Sequence, residues 1–94
     1  MFSSKIIPFG ELASWRAEMR AAGRRVVCTN GVFDLLHHGH AQYLADAATY
    51  GDVLLVCIND DASVTALKGP DRPLNTAYDR AFMLAALESV GAVT

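Results

Sequence analysis

Apolar residues along this chain fall into runs of two kinds, and the two kinds alternate. Residues 26–28 and 53–58 are continuously apolar and rich in valine, which is typical of strands covered on both faces of a sheet. The stretch before them instead places Leu12, Trp15 and Met19 on one stripe at helical spacing. We expect this stripe to pack against the core, with Trp15 a packing residue rather than a ligand-stacking one.

Capping and breaking residues place the remaining elements. Gly23 suits the position just past a helix, and Asp61 and Asn75 suit the position just before one. We therefore predict helices over about 10–22, 41–50, 62–67 and 76–88, strands over about 25–29, 53–58 and 90–94, and a loop over 68–74. This order indicates one α/β domain over 1–94, with a Rossmann-like three-layer arrangement of a parallel sheet and helices on both faces.

Composition narrows the classes of function. The formal net charge of -2 gives no basic footprint for nucleic acid, and Arg20, Arg24 and Arg25 cluster near a helix end, where cations are favourable. No apolar run approaches the roughly 20 residues of a membrane span, and no signal peptide is visible. We expect a cytoplasmic protein with neither nucleic-acid nor membrane partners.

Two cysteines, Cys28 and Cys57, lie inside the predicted strands. We interpret them as buried small hydrophobic residues and as reduced thiols. A disulfide between them would require that the strands be neighbours and that the side chains share a face.

Polar residues are concentrated where ligands bind a parallel sheet, outside the carboxyl ends of its strands. Three loops, residues 30–40, 59–61 and 68–74, should meet at that edge. Together they carry His37, His40, Asp34, Asp61, Lys68 and Arg72.

These residue types suit phosphate chemistry. Gly31 lets the backbone approach a phosphate, and amides near Val32, Phe33, Gly39 and His40 could cradle its oxygens at a helix N-terminus. Histidines such as His37 and His40 can donate hydrogen bonds as charge builds in a transition state. Lys68 and Arg72 could hold a substrate phosphate or a leaving pyrophosphate.

Other chemistries fit the sequence less well. His37 and His40, with His38 between them, could bind a metal such as zinc, but no further ligand of the usual spacing stands nearby in the sequence, so we predict no metal site of the protein's own. The Walker A pattern and the Gly-x-Gly-x-x-Gly pattern are both absent, which disfavours P-loop and hydride-transfer functions.

Residues 31–40, Gly-Val-Phe-Asp-Leu-Leu-His-His-Gly-His, resemble the signature Gly-x-Phe-Asp-x-x-His-x-Gly-His of the cytidylyltransferase-like branch of the nucleotidyltransferases, and they fill each fixed position. Further stretches resemble the adenylyltransferase domain of ADP-heptose synthases. They are residues 29–34, 59–63, 67–69, 72–73 and 79–80.

This resemblance implies transfer of a nucleoside monophosphate, AMP rather than CMP, to a sugar 1-phosphate such as heptose 1-phosphate, with release of pyrophosphate. It implies catalytic roles for His37, His40 and Lys68, and Mg²⁺ accompanying ATP or CTP. It also implies that the nucleotide site is lined or shaped by Asn30, Gly31, Val32, Phe33, Asp34, Gly39, Asp61, Arg72 and Arg80.

The resemblance also implies a second nucleotide motif, resembling Ile-Ser-Thr-Thr, beyond two further strands. We therefore expect a partial domain whose sheet is truncated after the third strand, with an open edge that favours a homodimer or an element-swapped oligomer. Two alternatives remain: a non-catalytic or nucleotide-binding remnant of the fold, and a glycerol-phosphate-type cytidylyltransferase.

Overall fold

The computed structural model describes residues 1–94 and contains one sheet of three parallel strands in the order β1-β2-β3. The strands are β1 (Val26–Gly31), β2 (Val53–Ile58) and β3 (Ala92–Val93). The helices are α1 (Leu12–Ala21), α2 (His38–Ala48), α3 (Asp61–Lys68) and α4 (Ala77–Ala85), preceded by 3₁₀ turns at Phe2–Lys5 and Phe9–Glu11. None of these helices combines the length and hydropathy needed to cross a membrane. The predicted Rossmann-like α/β fold with a parallel sheet is confirmed.

One face of the sheet carries the main core. Leu54 and Val56 of β2 and Val93 of β3 pack there with Leu44 of α2 and Leu84 of α4, and all five are fully or almost fully buried. Each such side chain contributes about 1.5–3 kcal/mol on leaving water. This face therefore fixes α2 and α4 against the sheet, and with them the loops at its carboxyl edge.

The opposite face has a thinner cover. Leu12, Trp15 and Met19 are the half-buried positions of α1, so the predicted stripe does face the protein, yet α1 has no fully buried residue. The expectation that Cys28 is buried is wrong, because β1 is an edge strand and α1 covers only part of this face.

Helix starts differ from prediction by a few residues, because side-chain caps decide them. The second helix begins at His38 rather than near residue 41, since His37 is its cap. Asp60 caps α3 through a 2.7 Å bond from the Ser63 N–H, one residue earlier than predicted. Thr76 rather than Asn75 caps α4.

The N-terminal segment covers the outer edge of β3. Ile6 forms a parallel bridge with Val93, and the Ile7 N–H donates to the Val93 carbonyl at 2.7 Å. Phe2 packs edge-on against Phe82, with ring centroids 4.9 Å apart. This leaves β1 as the outer strand at the other side of the sheet, and the expected oligomer stays a prediction.

Candidate active site

The site begins where β1 ends in Asn30 and Gly31. Phe33 adopts a left-handed backbone conformation (φ 50°), and its buried ring packs against Gly31. A Cβ atom at Gly31 would lie 2.7 Å from that ring, so the position requires glycine. Gly31 thus serves the close packing of Phe33 in this structure, and the predicted approach of its backbone to a phosphate stays a prediction.

His37 and His40 cap the N-terminus of α2 reciprocally. The His37 Nδ1 accepts a hydrogen bond from the Gly39 N–H at 2.9 Å, and the His40 Nδ1 accepts one from the His37 N–H at 3.2 Å. Their ring centroids lie 4.0 Å apart. The arrangement is a capping box built from two imidazoles, with His40 in the position where glutamate or glutamine usually stands.

The caps determine which ring nitrogens carry protons. An Nδ1 that accepts a hydrogen bond must be unprotonated, so each neutral ring holds its proton on Nε2. Burial, and secondarily the charge of His37, lower the pKa of His40, which keeps that ring neutral near pH 7. Because each Nδ1 accepts a hydrogen bond, the Nε2–H is the donor that each ring has left, and the two ring centroids are 4.0 Å apart.

Gly39 determines where the His37 ring lies. A Cβ atom at Gly39 would lie 2.8 Å from Cε1 of that ring. Its N–H is donated to His37, and the His40 N–H is donated to the His37 carbonyl at 3.1 Å. These two amides were predicted to cradle phosphate oxygens, but in this structure the cap occupies both. The Nε2–H groups of the two imidazoles are the donors that the cap leaves free instead.

Asp34 links the first loop, which runs between β1 and α2, to the loop before α4. Its carboxylate accepts hydrogen bonds from Nε of Arg72 and from the N–H groups of Leu74 and Asn75, at 2.7–2.9 Å, and the Asn75 amide donates to its carbonyl. Burial acts to raise the pKa of Asp34, but these three donors outweigh it and hold the pKa below its usual range. Asp34 therefore shapes the site, and its contact with a nucleotide stays a prediction.

Arg80 lies beneath the same loop with its side chain fully buried. Its guanidinium donates to the carbonyls of Val32 and Asn75 and, at 2.7 Å, to the half-exposed carboxylate of Asp61. Arg80 thus ties α4 to the first loop and to the start of α3. This position supports the loop from below, while direct contact between Arg80 or Asp61 and a nucleotide stays a prediction.

The two cations predicted to hold phosphate, Arg72 and Lys68, differ in whether another side chain binds them. Arg72 is held by Asp34 yet keeps about a third of its side chain exposed. Lys68, at the end of α3, is exposed and makes no side-chain hydrogen bond or ion pair. The structure thus brings Asp34, Arg72 and Arg80 together with the loop, and leaves Lys68 free at the rim.

Asn75 is the residue whose role the sequence did not reveal. The sequence predicts a helix cap at this position, but Asn75 donates hydrogen bonds to both the side chain and the main chain of Asp34. Only a buried carboxylate 41 positions earlier explains it, and no local pattern reports such a contact.

A cavity of about 430 Å³ lies beside the loop, between Phe33 and α4. Its polar lining consists of Asp34, Asn75, Asp79 and the buried Arg80, and the histidines are absent from it. Two carboxylates make it a poor phosphate site, and the predicted phosphate site at His37 and His40 lies outside its lining. No three His, Cys, Asp or Glu side chains converge as a metal site anywhere in the chain.

Known proteins are similar to this chain in sequence and in fold. The family described as Cytidylyltransferase-like matches residues 28–94. A protein named bifunctional protein HldE from Sulfurimonas denitrificans is 54% identical over 82 residues, which are 87% of this chain and 17% of that protein. The protein of the same name from Aliarcobacter butzleri is 49% identical over 88 residues, 94% of this chain and 18% of that protein.

The chain thus spans less than a fifth of the length of these two relatives. Among solved structures, the lipopolysaccharide core biosynthesis protein from Thermoplasma volcanium superposes with a TM-score of 0.70 at 30% identity, covering 76% of this chain and 57% of that one. The match over residues 28–94 includes the whole loop from Asn30 to His40 and the segments that support it. The chain belongs to the cytidylyltransferase-like family.

Proposed function

We propose that this chain carries the phosphate-binding half of a nucleotidyl-transfer site, which moves AMP from ATP to a sugar 1-phosphate such as heptose 1-phosphate. The observation that carries the proposal is the reciprocal cap of His37 and His40. It leaves the Nε2–H of each ring as a donor, with the ring centroids 4.0 Å apart, in a loop that follows a parallel strand, where this class of fold binds its ligands.

In the proposed reaction an oxygen of the sugar phosphate attacks the α-phosphorus of the nucleotide, and the bond to the β-phosphate oxygen breaks to release pyrophosphate. Negative charge grows on the bridging oxygen that leaves with the β-phosphate and on the non-bridging oxygens of the two phosphates. The two histidines donate to those oxygens without losing a proton, so they act by electrostatic stabilisation. Arg72 and Lys68 supply further positive charge at the rim.

Mg²⁺ fits this scheme as a companion of the nucleotide. The Asp34 carboxylate is already bound by three donors, and Asp61 is paired with Arg80, so the chain offers no free pair of carboxylates at the loop. Magnesium commonly takes its ligands from substrate phosphates and water. When bound, it would neutralise charge on the triphosphate.

The choice of a sugar acceptor and of ATP rests on the likeness to HldE proteins and to a protein of lipopolysaccharide core biosynthesis. Pyrophosphate release should be measured with ATP or CTP, and with heptose 1-phosphate or glycerol 3-phosphate as acceptor. We expect release with ATP and the sugar phosphate, and its loss in His37→Ala. Equal background release by the wild type and by His37→Ala would refute catalysis by this chain.

Nucleotide binding measured by calorimetry separates the remaining alternatives. Binding of ATP without release of pyrophosphate identifies a nucleotide-binding module. Release with CTP and glycerol 3-phosphate identifies the glycerol-phosphate type, and it would contradict the proposed substrates.

A further inference from the structure

Cys28 and Cys57 lie on neighbouring strands and face the same side of the sheet. The register pairs Cys28 with Leu55 and Asn30 with Cys57, so the two cysteines form a diagonal pair across β1 and β2. Their sulfur atoms are 3.6 Å apart, and both thiols are free. Both conditions that a disulfide would require are therefore met.

The pair is also accessible. Cys28 is exposed and Cys57 is half-buried. Both line a cavity of about 300 Å³ between α1 and the sheet, together with Leu12, Trp15 and Leu55. A small oxidant can reach the sulfur of Cys28 directly, and the Cys57 sulfur lies in contact behind it.

We propose that Cys28 and Cys57 are a redox pair, which closes to a disulfide by exchange with a low-molecular-weight disulfide and reopens with excess thiol. The Cys28 thiolate attacks one sulfur of the small disulfide, whose S–S bond breaks and releases one thiolate. Cys57 loses its proton and attacks the Cys28 sulfur, which expels the second thiolate. The two protein thiols supply the two electrons that reduce the small disulfide to two thiols.

The order of the steps follows from burial. Burial, and then the neighbouring Cys28, raise the pKa of Cys57 to about 11, so Cys57 is a thiol until the mixed disulfide forms beside it. Cys28 is the exposed partner and reacts first. Cys57 then resolves the mixed disulfide because its sulfur is already in contact.

The geometry makes the closed pair easy to reduce. Paired parallel strands lie about 4.8 Å apart and two residues rise about 6.6 Å along a strand, so diagonal neighbours have Cα atoms about 8 Å apart, beyond the roughly 5.5–6 Å that disulfides favour. Closure therefore draws Cys28 towards β2. The outer edge of β1 is unpaired, so the strand can shift, and the strain that remains favours reduction by thiols.

The test is exposure of the reduced chain to excess oxidised glutathione, followed by acid quenching and measurement of the intact mass. We expect the wild type to lose two hydrogens and to recover them when excess reduced glutathione is added. Cys57→Ser should stop at a single glutathione adduct on Cys28, and Cys28→Ser should react roughly tenfold more slowly than the wild type because its remaining thiol is a poor nucleophile.

Cys57→Ala repeats the Cys57→Ser experiment if serine disturbs folding at that half-buried position. Trp15, the only tryptophan, lines the same cavity, so its fluorescence should change on oxidation of the wild type and not of Cys57→Ser. The proposal is overturned if the wild type keeps a glutathione adduct, or stays reduced under conditions that modify Cys57→Ser.

Discussion

The Asp34 carboxylate accepts the Nε–H of Arg72 at 2.9 Å although 38 positions separate the two residues. The same carboxylate also accepts hydrogen bonds from the N–H groups of Leu74 and Asn75, so it holds three residues of the loop before α4. A carboxylate with two oxygens and several lone pairs can do this, whereas an amide cannot, because one of its two ends is a donor.

Asp34→Asn should therefore release this loop. Its amide nitrogen would face a backbone N–H and leave a buried donor unpaired, so we expect a lower urea midpoint and faster proteolysis between residues 69 and 75. Asp71→Asn is the matched control, since Asp71 is exposed in the same loop and makes no hydrogen bond. Equal midpoints and equal cleavage for the two variants would show that Asp34 does not hold the loop.

The sequence predicts those features of the structure that depend on residues close together in the chain, and it misses those that depend on contacts between distant segments. The bounds of β2 are predicted to the residue, because its continuous apolar run reflects burial that is local to the strand. His37 and His40 are found because a histidine pair at a helix start is a local pattern. The Asp34 contacts and the burial of Arg80 depend on chain segments far apart in sequence, and no local spacing reports them.

Arg80→Met should destabilise the protein. The change removes a buried cation and leaves the carbonyls of Val32 and Asn75 without their donor. Because the partner carboxylate of Asp61 is half-exposed, we expect the free energy of unfolding to fall by about 2–4 kcal/mol. Arg16→Met on the exposed side of α1 should change it by less than about 0.5 kcal/mol. Urea denaturation measures both, and comparable small losses would count against the supporting role of Arg80.

Stability should depend on pH through His40. Its pKa in the folded protein lies below the ordinary value of 6.5, so the unfolded chain takes up the proton first as the pH falls. The contribution of His40 is therefore complete above pH 6.5 and is lost as the pH falls through its folded pKa.

His40→Gln isolates this effect, since glutamine at the same helical position can still accept from the His37 N–H. We expect the urea midpoint of the wild type to fall more steeply than that of His40→Gln just below pH 6.5. A second fall below pH 3.8 should be shared, because Asp34 and Asp60, whose folded pKa values are lowered, are present in both. Parallel curves throughout would rule out His40 as the titrating group.

Nucleotidyl transfer should depend on His40 and not on its neighbour His38. His40→Ala removes one of the two Nε2–H donors and should lower turnover about 10²-fold, as for other groups that stabilise developing charge. His38 is exposed at the first position of α2 and its side chain makes no hydrogen bond. Pyrophosphate release by His38→Ala should match the wild type, and a similar loss in both variants would argue against a specific role for His40.

Gly39→Ala should separate activity from stability. The added Cβ lies 2.8 Å from the exposed ring of His37, which can swing away, and alanine in a helix gains about 0.5–1 kcal/mol over glycine. The free energy of unfolding should therefore change little, while the displaced ring no longer accepts from the residue 39 amide and its Nε2–H no longer points beside that of His40. Pyrophosphate release should fall as far as it does in His37→Ala. Gly10→Ala, where a Cβ meets no atom within 4 Å, should leave pyrophosphate release unchanged. Full activity in Gly39→Ala would mean that the placement of the His37 ring by the cap is not required for transfer.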